Sequence, residues 1–263
     1  MDFDLNQIPV PFRMQPGLRR LNAGEPYLTR LDPESVLYRE KLAVFEAAQS
    51  RHVVPGFDCA PALAAIAAAS DTEAGDAGSP LELTFDEDLA VLDGATGTIP
   101  WLCVCVPSHW APEDKLGLDF STLHRPVADN AALLAASQQL VALATAGDRW
   151  ERFVWTISPS SRYDQHPRRH PRAPWPAEPD AQAFAQQCWL RSERQTFFPV
   201  GRGTRQAVFT IRVTLQPLPE AVRSVGSGRH LYQSLASMSQ AVIDYKNLGG
   251  ARERLLRWLE SSP

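Results

Sequence analysis

The chain has 263 residues, 44% of them hydrophobic and 21% charged, with a formal net charge of −4, enough for a substantial core and read as one domain over 1–263 with an N-terminal arm and C-terminal helices. The acidic balance argues against general nucleic-acid binding, which needs a face rich in lysine and arginine. No apolar run approaches the ~20 residues of a membrane span, and MDFDLNQIPV has neither a basic nor an apolar leader region, so a cytoplasmic protein is expected.

Pro9, Pro11 and the run Phe12-Arg13-Met14-Gln15-Pro16-Gly17-Leu18 read as an extended arm lying across the domain. Asp32-Pro33-Glu34 offers a cap, a first-turn proline and an acid at the positive end of a helix, and Val36, Leu37, Lys41, Leu42 and Phe45 carry helical spacing. A helix is therefore expected over 33–50. The alanine-rich stretch 60–69 predicts a second helix, and 71–80 a solvated loop. Residues 85–92, an acidic start followed by apolar positions, read as a short helix or turn. Residues 101–106 are six apolar side chains closed by Pro107, the pattern of a strand buried on both faces.

The chain leaves that strand through the sharp turn Pro107-Ser108-His109-Trp110, and Leu118, Phe120 and Leu123 lead it to His124, just before the helix-stopping Pro126. Beside Leu123 and Val127, His124 is open to two readings, a satisfied core or surface histidine and a metal or haem-iron ligand. Asp129 is expected to cap a helix over 130–146, and 152–158 to form a strand with Phe153, Trp155 and Ile157 on one side. Six prolines make 159–180 a long excursion, and its four arginines either keep it soluble or attract an acidic redox partner. Strands are expected over 187–198 and 207–215, joined by Gly201-Arg202-Gly203-Thr204, a Gly-x-Gly that opens no helix and so reads as a hairpin turn. Helices over 231–239 and 240–248, a break at Gly249-Gly250 and an amphipathic stretch over 252–259 complete the chain.

Chemistry concentrates in Arg191, Glu193, Arg194, Gln195 and Thr196, five polar side chains within one strand. Alternation sends Arg191, Glu193 and Gln195 to one face and Arg194 and Thr196 to the other, so one face offers a carboxylate between cationic and amide neighbours. That face orients a small polar ligand or forms part of an ion-pair ladder, for example with Arg212. Cysteines 59, 103, 105 and 188 match no zinc, iron–sulfur or covalent-haem spacing and read as buried thiols in a reducing compartment. No Ser-His-Asp order, His-Glu-x-x-His or Walker loop is present.

Several separated motifs together resemble the haem-dependent oxidative N-demethylases. They are Phe12 to Leu18, Glu87-Asp88-Leu89, Pro107-Ser108-His109-Trp110 with Lys115 and Gly117, Leu123-His124-Arg125-Pro126-Val127, Arg194-Gln195-Thr196, Phe209-Thr210-Ile211-Arg212 and Tyr245-Lys246. The resemblance implies an α+β fold, a PAS-like antiparallel sheet with flanking helices that holds non-covalent haem b. It further implies an axial histidine, matched best by His124 with His109 as second candidate, and propionate partners in Arg194, Arg212 and Lys246. Glu193 is then the catalytic-site residue that holds an amine's positive charge. The implied activity is oxygen-dependent removal of an N-methyl group from a small secondary or tertiary amine, releasing formaldehyde. Electrons would come from a separate reductase carrying FMN and a [2Fe–2S] cluster, since this chain has no dinucleotide fingerprint or four-cysteine spacing. The alternatives are a haem or small-ligand sensor of the same fold and a non-haem homologue; thiolate ligation by Cys103 or Cys105 is a further possibility for the iron.

Overall fold

The computed structural model of the protein describes residues 3–22, 24–70, 79–201 and 203–260. The proline-rich arm runs extended, with Phe12 N–H donating to Ser237 Oγ (2.9 Å) and the Phe12 ring meeting Trp155 edge-on, and it leads into the short strand β1 (Arg19–Arg20). Helix α1 (Val36–Glu46) is shorter than the expected 33–50. Ser35 rather than Asp32 caps it, accepting from Tyr38 N–H, and Ala48 at φ 54° turns the chain away after the last turn. Strand β2 (Arg51–Val53) follows, and α2 (Ala60–Ala69) has the expected bounds. Of the loop expected over 71–80, residues 71–78 lie outside the described residues.

Residues 85–92 do not form the expected helix or turn; they lead into and make up most of a central strand, β3 (Asp88–Asp93), hydrogen-bonded on both edges. Its acids are held by specific partners rather than by a helix dipole: Glu87 accepts from Thr29 N–H (2.8 Å), and Asp88 faces Lys41. Strand β4 (Thr98–Cys103) carries the expected buried run, although sheet pairing stops at Cys103 and burial continues to Val106. After α3 (Phe120–His124), the single helix expected over 130–146 is two, α4 (Ala131–Ala135) and α5 (Ser137–Ala144). Asp129 sits at φ 52°, left-handed and unfit for an N-cap, and its carboxylate accepts instead from Ser239 Oγ (2.8 Å). Strand β5 (Trp150–Ser158) precedes the proline-rich excursion, which has neither helix nor strand before α6 (Ala181–Ala185). The long hairpin of β6 (Trp189–Pro199) and β7 (Gln206–Pro217) then gives way to α7 (Leu218–Ala221), α8 (Ser227–Ala236), α9 (Gln240–Tyr245) and α10 (Arg252–Glu260).

Among the described residues the strands form one antiparallel sheet in the order β1-β5-β6-β7-β3-β4-β2, so the fold is α+β. Its two faces are treated differently. Trp155, Ile157 and Leu190 are buried by α6 and the C-terminal helices through Leu231, Leu235 and Leu255, while Leu89, Val91 and Val208 are covered by Ala62 and Ile66 of α2. The opposite face carries Leu92 and Phe197 in one cluster with Phe120 of α3 and Val141 of α5, and Ile211 and Val213 in another with Leu37 and Val44 of α1, while on β5 and β6 its side chains become polar. Among the described residues no helix is long and apolar enough to cross a membrane.

Lys41 ties α1 to this sheet. It is wholly buried, its ammonium donating to the carbonyls of Phe85 (3.0 Å) and Glu87 (2.8 Å) and lying 3.2 Å from Asp88 Oδ1. Burial works to lower its pKa, but the Asp88 carboxylate outweighs this and holds it above the ordinary lysine value. Asp88→Asn leaves a buried ammonium without its counter-charge and is expected to lower unfolding free energy by about 3–5 kcal/mol. Urea unfolding checks this against Glu220→Gln, which removes an exposed pair with Arg223 and should shift stability by under about 1 kcal/mol.

Candidate functional site

The β5–β6 register pairs Arg152 with Gln195, Val154 with Glu193 and Thr156 with Arg191, so these six side chains share one sheet face. The turn after β4 brings Ser108 onto that face. Its hydroxyl donates to Glu193 Oε1 and accepts from Arg191 Nε (2.7 Å), while Gln195 Nε2 donates to Glu193 Oε2 (2.7 Å). Arg191 spends its remaining donors on the carbonyls of Val106, Arg162 and Tyr163, anchoring the excursion to the sheet. Glu193, 9% exposed, is therefore oriented by an amide and a hydroxyl, both neutral, and keeps lone pairs free for a cationic ligand.

His124 comes to the same face from α3. Asp119 caps that helix, accepting from Thr122 N–H (3.0 Å), and the helix ends at His124. Phe120 packs against the same buried cluster, Leu92, Val141 and Ala144, as Phe197, two residues beyond Gln195, and its ring stacks on the imidazole at 4.0 Å. His124 Nδ1 lies 2.7 Å from the Phe120 carbonyl. A carbonyl only accepts, so Nδ1 carries the proton and Nε2 presents a lone pair. Burial lowers the imidazole pKa and Arg152 and Lys115 add to this against the Phe120 carbonyl, so the ring is neutral at neutral pH. A neutral ring with one nitrogen fixed by a carbonyl is the state in which histidine ligates metal.

Lys246, just after α9, reaches the open edge of β5 beside this face. Its ammonium donates to the Trp155 carbonyl (2.5 Å) and lies over the rings of Phe12 and Trp155; burial pushes its pKa down to about 8, with Glu193 opposing and Arg152 assisting. It also lines a recess with His109, Thr156, Ser158, Arg172 and Trp175. The cavity volume there is about 30 Å³, room for about two waters, so it does not admit a macrocycle.

Arg194 and Arg212 are not brought to His124. They pair with each other across β6 and β7 on the opposite face, where Arg194 Nε donates to Glu151 (2.8 Å) and Arg212 meets Asp86 (2.9 Å). Cys103 and Cys105 are buried, and burial pushes both thiols up, which keeps them protonated in the core. The excursion's basic charge is largely spent locally: Arg168 pairs with Glu113 and Asp114, and Arg169 with Asp164.

Sequence reasoning passed over Arg152. It is the one arginine on the Glu193 face of β5, and its Nε is buried without a partner. Its only signal in the sequence is a guanidinium in the middle of the strand Trp-Glu-Arg-Phe-Val-Trp.

Fold and site together define a class: an α+β protein in which a neutral, oriented histidine from a short helix stands over a polar, carboxylate-bearing sheet face. Residues 70–256, more than half of the chain, match the family of the haem-dependent oxidative N-demethylase, alpha subunit-like, and the chain belongs to that family. The matched span takes in His109, His124, Arg152, Glu193 and Lys246 and leaves out the arm at 12–18. A search of curated proteins finds no match.

His109 gives the site a pH dependence. It is held at φ 61°, and burial, Arg172 and Arg191 push its pKa down to about 4. The unfolded chain, with an ordinary value near ~6.5, binds this proton first as pH falls. Stability therefore declines from about pH 6.5 toward 4 through this group and is unaffected by it above that window. His109→Asn, which tolerates the left-handed backbone, is expected to flatten this part of the profile, as measured by urea midpoints at about pH 7 and pH 5.

Proposed function

We propose that this chain is the haem-carrying catalytic subunit of an oxidative N-demethylase, with a PAS-like site on the Glu193 face and His124 Nε2 as the iron ligand. The observation that carries this reading is the Phe120 carbonyl 2.7 Å from His124 Nδ1, which fixes the tautomer and leaves Nε2 as a lone-pair donor. The donor set fits the group. Haem iron takes a histidine from the chain through a lone-pair nitrogen, which His124 Nε2 offers.

When bound, haem b would supply dioxygen activation, the overall change consuming O₂, two electrons and two protons to turn an N-methyl group into a carbinolamine and one water, the carbinolamine then releasing formaldehyde and the shorter amine. The chain's own residues bind and orient. Glu193 holds the ammonium of a secondary or tertiary amine, and Ser108 and Gln195 hold that carboxylate in place. The stacked Phe197 and Phe209 (4.6 Å between centroids) stand on the same face beyond Gln195 and add apolar surface to it. Electrons come from a partner reductase with FMN and [2Fe–2S] centres.

His124→Ala is expected to abolish haem retention while far-ultraviolet circular dichroism stays near wild type, and His109→Ala to retain haem. Full haem content with an unchanged absorption spectrum in His124→Ala removes the ligand assignment. Glu193→Gln is expected to weaken amine binding by ~1.5–3 kcal/mol, the range of a hydrogen bond to a charged group, with an unchanged haem spectrum. Formaldehyde release should require an added reductase or chemical electron donor; nicotinamide-driven release by the isolated, flavin-free chain overturns the subunit reading.

A further inference from the structure

Arg152 is the cation on this face that the fold leaves without a partner. Its Nε is sealed from solvent, and the guanidinium makes no hydrogen bond or ion pair with any described residue. Neighbouring arginines are engaged: Arg191 by Ser108 and three carbonyls, Arg194 by Glu151 and the Pro26 carbonyl, Arg169 by Asp164 and the Cys105 carbonyl. The nearest acid in register is Glu193, which stands diagonally across from Arg152, makes no hydrogen bond or ion pair with it, and is oriented instead by Ser108 and Gln195. The fields of Glu193 and Tyr245 reach Arg152, and that of Arg152 reaches His124, so the guanidinium lies within the site. Arg152 as a residue is only half-buried, but its sealed Nε–H is a donor without an acceptor, which a ligand reaching in from the open side would satisfy, and a planar guanidinium matches a carboxylate with two parallel hydrogen bonds.

We propose that Arg152 is a carboxylate-binding residue of the His124–Glu193 face. The carboxylate has two sources on the functional reading above, on which this inference rests: a propionate of the prosthetic group, or the carboxylate of an N-methylated amino acid whose ammonium is held by Glu193. In the second case the substrate class is zwitterionic, its opposite charges bridging the gap the fold keeps between Glu193 and Arg152.

The test uses the full chain prepared without haem and four probes: haem b, its dimethyl ester, N-methylglycine and dimethylamine. Binding is read by Soret absorbance for the haems and by the ¹⁵N-resolved Nε–H resonance of Arg152 for the amines, the latter repeated on haem-loaded protein. Arg152→Gln is expected to lose tenfold or more in affinity for one carboxylate-bearing probe and nothing for its carboxylate-free counterpart, with Arg152→Lys restoring part of the loss. A loss confined to haem b against its ester assigns the propionate; a loss confined to N-methylglycine against dimethylamine assigns the substrate. Equal affinities of wild type and Arg152→Gln for all four probes, or equal losses with and without the carboxylate, overturn the proposal. Wild-type protein that binds neither haem defeats the haem reading instead, and the two amines then decide Arg152 alone. The Nε–H shift in wild type needs no variant, so a poorly folding Arg152→Gln does not shelter the proposal: an unmoved resonance with every carboxylate-bearing probe that binds also overturns it.

Discussion

The buried contact between Lys41 and Asp88 is the constraint from which the site's geometry follows. Lys41 is 0% and Asp88 2% exposed, so neither charge has recourse to water. While Oδ1 faces Lys41, the same carboxylate accepts the backbone N–H groups of Cys105 (3.0 Å) and Val106 (2.8 Å). Those are the first amides beyond the end of β4 that a neighbouring strand would otherwise have to satisfy. One carboxylate thus neutralises a helix-borne cation and ends a strand, and the chain it releases is the turn that delivers Ser108 to Glu193 and His109 to the recess. A buried ion pair gains little net stability over apolar packing, but it demands one arrangement, and here that arrangement sets the register between α1, β3 and the turn.

The sheet sorts charge by face. On the side of Arg194 and Arg212, Glu151 and Asp86 close every guanidinium into a pair, and Glu151 also reaches Arg19 of the edge strand (2.7 Å). That side is electrostatically finished. On the other side Glu193 is held by neutral donors, Lys246 by a backbone carbonyl, and Arg152 by nothing among the described residues. Charges left without direct counter-charges are where a ligand gains most, because desolvation has already been met by the fold.

The sequence discloses the fold wherever one physical term dominates. The alanine-rich α2 and the β-branched β7 lie where their periodicity puts them because nothing competes with it. At 85–92 an acidic start suggested a helix terminus, yet Asp88 is there to meet Lys41, 47 residues earlier, and no local pattern reveals a partner so distant. Asp129 failed as a cap for a related reason, its carboxylate being claimed by Ser239 of a helix more than a hundred residues away. The site was legible in part. Period-two alternation already places Arg194 opposite Glu193, and the observed register extends this to Arg212, its partner across the hairpin. His124 could be picked from the proline stop, but its tautomer depends on a carbonyl one helical turn back, which only the folded α3 supplies. Arg152 stayed hidden because an arginine in a strand is ordinarily solvated or paired, and its lack of a partner is a property of the tertiary structure alone.

The charges of this face also bear on the order in which ligands occupy it. The field of Glu193 reaches Arg152, Lys246 and Arg191, of which only Arg191 also feels Asp88, Glu40 and Asp164, and Arg172 lines the adjoining recess. An amine arriving as a cation meets that excess of like charge in a low-dielectric setting, where Coulomb terms fall off slowly. Part of the Glu193 attraction is thereby cancelled before the amine reaches it. A group with carboxylates bound first reverses the balance, since each one neutralises a cation that would otherwise repel the substrate. Burial is the main reason His124 stays neutral, and Arg152 and Lys115 add to it, because protonating the ring would set one more positive charge near theirs. On the proposed function, a face built this way takes a negatively charged group before a positively charged amine, and Arg152 is the cation of the set whose pairing would also ease the charge felt by His124.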